Sequence, residues 1–300
     1  MRGAGYARFM ELRGRRILEG AGSVWYSVSG RLLMPVAYHT PIAPDPAQVK
    51  AMLARSSHLG ARFPSKTCGG LSKGLWVCRR KQYDISVIHQ NSRRSVRRGL
   101  NDCEIRPVET RELLDQGLAL NLDTMDRQGR YEAEFGDPKS WRRLVEAIPH
   151  CSTISALGAF VGGRMAAYAI LSREDGWLHI LHQFSHRDLL QHRPNDGLAF
   201  TVTRMGADDP AIEGVCYGLT GLVDTQGLNR FKIYHGYEIE ELSDSFLLHP
   251  LAETVLANSA ASWALKTARR IRPSDQTLER VQSVLEGARL TRLGLREATA

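Results

Sequence analysis

Residues 152–185 read STISALGAFVGGRMAAYAILSREDGWLHILHQFS. Three strand-length apolar runs fill 152–161, 164–173 and 176–185, and the separators are Gly162-Gly163 and Glu174-Asp175-Gly176. Glycine reaches positive φ without a steric penalty, so both separators suit tight hairpin turns. The stretch predicts a three-stranded antiparallel meander.

Upstream, CEIRPVE (103–109) predicts a strand. Residues 110–129 carry Leu113, Leu114, Leu118 and Leu122 at helical spacing, and DPKSWRRLVEAI (137–148) is a second helix with Pro138 in its first turn. Downstream, PNDGLAFTVTRMG (194–206) predicts a helix with Asn195 as its N-cap. EGVCYGL (213–219) is a short buried strand, DTQGLNRFKIY (224–234) a helix closed by Gly236, and 237–249 a strand. The order over about 102–248 is β-α-α-β-β-β-α-β-α-β.

Residues 20–100 predict a small mixed α/β unit. Its expected parts are two strands around Ser29-Gly30, a helix over 45–56, a strand over 74–80 and a basic helix over 85–100 that ends at Gly99 or shortly after. Residues 251–290 predict two amphipathic helices broken at Pro273, and the basic N-terminus predicts a mobile or surface segment. The expected divisions are 1–20, 21–101, 102–250 and 251–300.

Hydrophobic residues make up 43% of the 300, enough for a packed core, and the net charge of +8 favours anionic partners. No run of about 18 apolar residues exists, so no spanning helix is expected. The five cysteines have no C-x-x-C spacing, so they read as reduced thiols with no metal site. The N-terminus lacks the apolar centre of a secretion signal. The expected location is cytoplasmic, with a place at the inner membrane surface left open.

Three segments narrow the reading: RRSVRRGLNDCEIRPVE (93–109), TMDRQGR (124–130) and GLNRFKIYHGYEIEEL (227–242). With the element order, they resemble the FemAB-like branch of the GNAT-type acyltransferases over about residues 83–248. The resemblance implies a mixed, mainly antiparallel sheet flanked by helices, and because such enzymes are often tandem, residues 20–100 could be a shortened first GNAT-like unit. It implies N-acyltransfer by direct attack on a bound thioester or ester. The expected donor is an acyl-CoA or acyl-carrier thioester, with an acyl carrier protein as one carrier and no tightly bound cofactor. The expected acceptor is an amine or hydroxyl of a cell-envelope or secondary-metabolite precursor. Charged tRNA is the rival donor, and a non-catalytic binder of anionic polymers is a third reading. The chain lacks the long coiled-coil arm of some peptidoglycan members.

Where many GNAT enzymes carry a tyrosine, four residues before the glycine, this chain has Lys232. The resemblance implies that Lys232 faces the cleft and stabilises developing negative charge, with Arg230 beside it. Arg193, Asn195 and Gly197 lie where the superfamily cradles a pyrophosphate, although Asp196 would oppose a phosphate. Simple alternation puts His182 on one face with Leu178 and Ile180, as a candidate general base. The loop with Arg127, Gln128, Arg130 and Tyr131 is the candidate acceptor contact, and Arg94 and Arg98 share one face of the basic helix.

Overall fold

The structure, a computed structural model, describes residues 2–28, 31–221, 226–256, 267 and 276–297. Eleven strands run in chain order: β1 (Ile17–Gly20), β2 (Ser23–Val28), β3 (Leu32–Pro35), β4 (Gly60–Ser65), β5 (Leu71–Cys78), β6 (Glu104–Pro107), β7 (Ile154–Val161), β8 (Arg164–Glu174), β9 (Trp177–Ser185), β10 (Gly214–Leu219) and β11 (Glu238–Leu248). Pairing is mixed and mainly antiparallel, and helices flank the strands. The chain divides into two compact units. The first holds Met1–Gly14, Trp76–Gly218 and Gly227–Glu238, and the second holds Arg15–Leu75, Leu219–Gln226 and Ile239–Ala300. These units interleave along the chain, whereas the sequence divisions are consecutive.

The first unit contains the meander. Gly162 and Gly163 have φ of 56° and 80°, and Asp175 and Gly176 have 53° and 78°. Positive φ at both central residues is the two-residue turn whose twist matches a hairpin. Strands β6, β7, β8 and β9 pair antiparallel in sequence order. Strand β10 then joins β9 in parallel, with Gly214, Val215 and Cys216 opposite Trp177, Leu178 and His179.

A β-bulge interrupts β8–β9: Ile170 opposes His182 and Leu171 opposes Ile180, which leaves Leu181 as the extra residue. Side chains alternate along a strand, so one extra residue reverses the faces beyond it. His182 therefore shares a face with His179, Tyr168 and Phe184, while Gln183 shares one with Ile180 and Leu178. This corrects the expectation that His182 sides with Ile180.

Helix Pro194–Asp208 covers the Ile180 face. Its Leu198, Phe200 and Val202 join Leu178, Ile180, Val215 and Ala169 in one buried cluster. Helix Gln90–Asp102 crosses it. That helix runs through Gly99 and ends shortly after it, at Asp102, and Gly99 is a crossing point and not a cap. A Cβ at Gly99 would lie 2.5 Å from the Arg193 carbonyl oxygen and 2.7 Å from the Gly197 nitrogen.

On the other face, helix Leu118–Arg127 packs against β9. The N-terminal segment is also docked, contrary to its basic sequence. Helix Ala4–Leu12 buries Tyr6, Phe9 and Met10. Its first backbone N–H groups donate to carboxylates of the meander: Gly3 to Asp175 at 2.8 Å, and Gly5 and Tyr6 to Glu174 at 2.6 and 2.8 Å. Acceptors at a helix start satisfy donors that have no partner inside the helix.

In the second unit β1, β2 and β3 pair antiparallel, β3 pairs β4 in parallel, and β4 pairs β11 antiparallel. Trp25, Leu33, Val49, Leu53 and Phe63 form its buried cluster. Helix Gln276–Glu297 is anchored on β11, where the Phe246 N–H donates to Thr291 Oγ1 at 3.0 Å. The expected turn at Ser29-Gly30 and the break at Pro273 lie outside the described residues. All five cysteines are free and buried. Among the described residues no helix is long and apolar enough to cross a membrane.

Candidate active site

Lys232 sits on helix Gln226–Tyr234 and is only 5% exposed, so it is not the cleft-facing side chain that was expected. Its Nζ donates to the Tyr217 carbonyl oxygen at 2.9 Å. The ammonium also lies 4.7 Å from the centre of the Tyr217 ring and 5.4 Å from that of Trp76. Cation–π attraction supports a charge there. Burial disfavours the charged form and brings the Lys232 pKa down to about 8.

A chain of hydrogen bonds leads away from this lysine. Tyr217 Oη donates to Gln183 Oε1 at 2.6 Å. Gln183 Nε2 donates to Asn195 Oδ1 at 3.0 Å, and Asn195 Nδ2 donates to Ser185 Oγ at 2.9 Å. Arg127 completes it, donating to Ser185 Oγ at 3.0 Å and to the Ser185 carbonyl at 2.9 Å. The bulge makes this chain possible, since it places Gln183 and Ser185 on the face of Ile180 and leaves His182 behind. Of the expected site residues, Lys232, Asn195 and Arg127 are brought together. Gln183, Ser185 and Tyr217 were missed. A single tyrosine before Gly218 in an apolar strand carries no signal of its own, and the reversal at Leu181 is invisible without the partner strand.

The other candidates stand apart from this chain. His182 packs edge-on to Phe135, with ring centres 4.4 Å apart. Its Nε2 is buried without a hydrogen bond, and burial, then the Arg13 and Arg130 charges, hold its pKa well below 6.5. It is a neutral ring in an aromatic layer. Arg130 bonds Gln128 Oε1 at 2.6 Å and pairs with Glu132, while Tyr131 is 65% exposed. Arg230 is exposed and makes no ion pair or hydrogen bond among the described residues.

The start of helix Pro194–Asp208 differs from a phosphate cradle in three ways. Arg193, not Asn195, is its cap residue, in the left-handed region at φ 56°. Gly197 is closed off: a Cβ there would lie 2.8 Å from the Gly99 carbonyl carbon, so glycine serves the helix crossing. Asp196 occupies the first turn, and its Oδ1 is 3.7 Å from His235 Nε2. His235 Nδ1 is 2.8 Å from the Phe231 carbonyl, which can only accept, so Nδ1 carries the proton and Nε2 is bare in the neutral ring. Burial lowers the His235 pKa and raises that of Asp196 to about 6.

The Asp196 shift sets a pH dependence. Between about 3.8 and 6 the folded protein binds more protons than the unfolded chain, so stability falls as pH rises through that window. Asp196→Asn keeps the shape and removes the ionisation. Its expected gain at pH 7 is roughly 1–3 kcal/mol, with a flatter profile between pH 4 and 6. Urea unfolding at several pH values measures both, and an unchanged profile would mean that Asp196 does not titrate in this window.

No family model and no curated protein matches the chain. Solved structures do match. FemX aligns with a TM-score of 0.59 at 12% identity, over 85% of this chain and 94% of that one. The C-terminal DUF2156 domain of a putative lysylphosphatidylglycerol synthetase from Agrobacterium fabrum aligns with a TM-score of 0.52 at 15% identity, over 86% and 91%. L-PGS from Bacillus licheniformis aligns with a TM-score of 0.51 at 12% identity, over 83% and 90%. The chain has a GNAT-like fold. In that GNAT-like frame the β9–β10 pair parts after Cys216, and Tyr217 and Gln183 link the diverging strands.

Proposed function

We propose that this chain is an acyltransferase that uses charged tRNA as donor and an amine or hydroxyl of a cell-envelope precursor as acceptor. The observation that carries the choice of donor is the start of helix Pro194–Asp208. A pyrophosphate needs free N–H groups and no opposing charge. Here the glycine is closed against Gly99 and Asp196 fills the first turn. The neighbouring helix supplies a different anion surface. Arg94, Arg97 and Arg98 are exposed on Gln90–Asp102, and Arg94 and Arg97 have no ion-pair partner among the described residues. One of the similar structures is named as a domain of a putative lysylphosphatidylglycerol synthetase, and lysylphosphatidylglycerol is an aminoacylated lipid, which supports an aminoacyl group as cargo.

In this reading the acceptor nitrogen or oxygen bonds to the donor carbonyl carbon, the ester C–O bond breaks, and the acceptor's proton passes to the leaving oxygen. Lys232 does not touch the donor: its buried charge, held on the Tyr217 carbonyl, acts as a fixed positive field on the oxygen where negative charge builds. Binding and orientation supply much of the rate. A second reading keeps a free or carrier-bound thioester as donor, and the gap between β9 and β10 favours it as a slot for an extended arm.

The test sets transfer from aminoacyl-tRNA against transfer from acyl-CoA and from acyl carrier protein. Charged tRNA is expected to be used, with a steep loss of affinity as salt rises, because phosphate contacts release counterions. Arg94→Glu with Arg98→Glu should lower that activity by about 100-fold or more. Activity with a thioester that survives the double change would establish the second reading, and the arginine helix would then be only a solvated face.

A further inference from the structure

The second unit contains a recess of about 220 Å³ that the transfer reaction does not use. It lies among helices Pro46–Ala54, Pro250–Leu256 and Gln276–Glu297 and the end of β11. Its apolar wall includes Phe246, Leu248, Ala288 and Leu295. Its charged residues include Lys50, Arg292 and Glu253. Glu253 Oε2 is 2.8 Å from Lys50 Nζ, and its Oε1 is 3.8 Å from Arg292 NH1. One carboxylate thus serves two cations.

We infer that this recess binds a single-chain fatty carboxylate, with the alkyl chain on the Phe246–Ala288 wall and the head on the Lys50–Arg292 rim. An apolar wall alone would admit any hydrocarbon, but the rim selects the sign of the head. A guanidinium donates two parallel hydrogen bonds to a carboxylate, and an incoming carboxylate would add the acceptor that Lys50 and Arg292 now share. Size selects one chain. A methylene is about as large as a water's share of the liquid, roughly 30 Å³, so the recess takes about seven carbons. A two-chain lipid is too large for it.

The experiment is calorimetric titration of the whole protein with octanoate, butanoate and octylammonium. Octanoate is expected to bind, and butanoate to bind at least about tenfold more weakly, since each buried methylene contributes roughly a fourfold factor. Octylammonium should not compete. Arg292→Gln, at a half-exposed position, should weaken octanoate at least about tenfold without changing the melting temperature of the free protein. Ala288→Phe should fill the recess and abolish binding. Equal affinity for octanoate and octylammonium would overturn the inference, as would undiminished octanoate binding in either variant. Binding to phosphatidylglycerol vesicles that octanoate does not displace would overturn it too, and would mark a membrane surface in place of a fatty-acid site.

Discussion

Lys232→Met should cut the transfer rate by about 100-fold or more while leaving the protein more stable. Methionine keeps the length of the stem and its packing against Trp76 and Tyr217, but carries no charge. A fixed charge whose field stabilises the developing oxyanion is worth that much in rate. The stability change has the opposite sign. The folded pKa is about 8 against 10.5 in the unfolded chain, so at pH 7 the natural protein holds a buried ammonium at a cost on the order of 3 kcal/mol. Between pH 8 and 10.5 the unfolded chain binds more protons, and the natural protein should gain stability with rising pH. The variant should not. Activity should fall as pH rises through about 8, because the cation is the working form. Steady-state rates and urea unfolding across pH 6–10 read both effects. Unchanged turnover in the variant would remove Lys232 from the chemistry, whatever happens to its stability.

Gly99→Ala should destabilise the first unit by about 2–3 kcal/mol. The atoms that a Cβ meets are backbone, the Arg193 oxygen and the Gly197 nitrogen, and neither can rotate aside. The two helices must separate, which loosens the packing of Leu198 and Phe200 on the sheet. The expected fall in melting temperature is roughly 5–10 °C. Gly197→Ala should cost a similar amount, and the double change less than the sum, since one separation accommodates both methyls. Additive losses would mean that the two glycines do not share a crossing.

The parts of the fold that were legible in the sequence are those whose causes are local. Gly162-Gly163 and Asp175-Gly176 specify their turns by φ alone, and the strands between them follow. Asp137 caps its helix by accepting from the Ser140 N–H three residues on, with Pro138 in the first turn. The parts that were not legible have remote causes. The N-terminal helix is held by Glu174 and Asp175, about 170 residues away, and nothing in its own basic sequence announces them. Strand β4 contains Pro64, which reads as a breaker until β11 is known to pair there. Lys232 was legible as a candidate through the resemblance, but not as a buried residue, because Trp76 lies over 150 positions earlier. Asn195 was picked from the start of a helix where the superfamily holds a pyrophosphate, and Arg127 from a polar loop. The side chains that join them, Gln183 and Ser185, depend on a pairing irregularity that no single strand displays.

That irregularity gives the fold an arithmetic. Strand β9 counts its residues in twos, and Leu181 is the odd one. Loss of the codon for Leu181 would leave a regular ladder in which His182 and Gln183 keep their present faces, whereas a strand of unchanged length that ran straight would exchange them. Two descendants of one ancestor could then share every residue of this strand and still present opposite chemistries to the same helix.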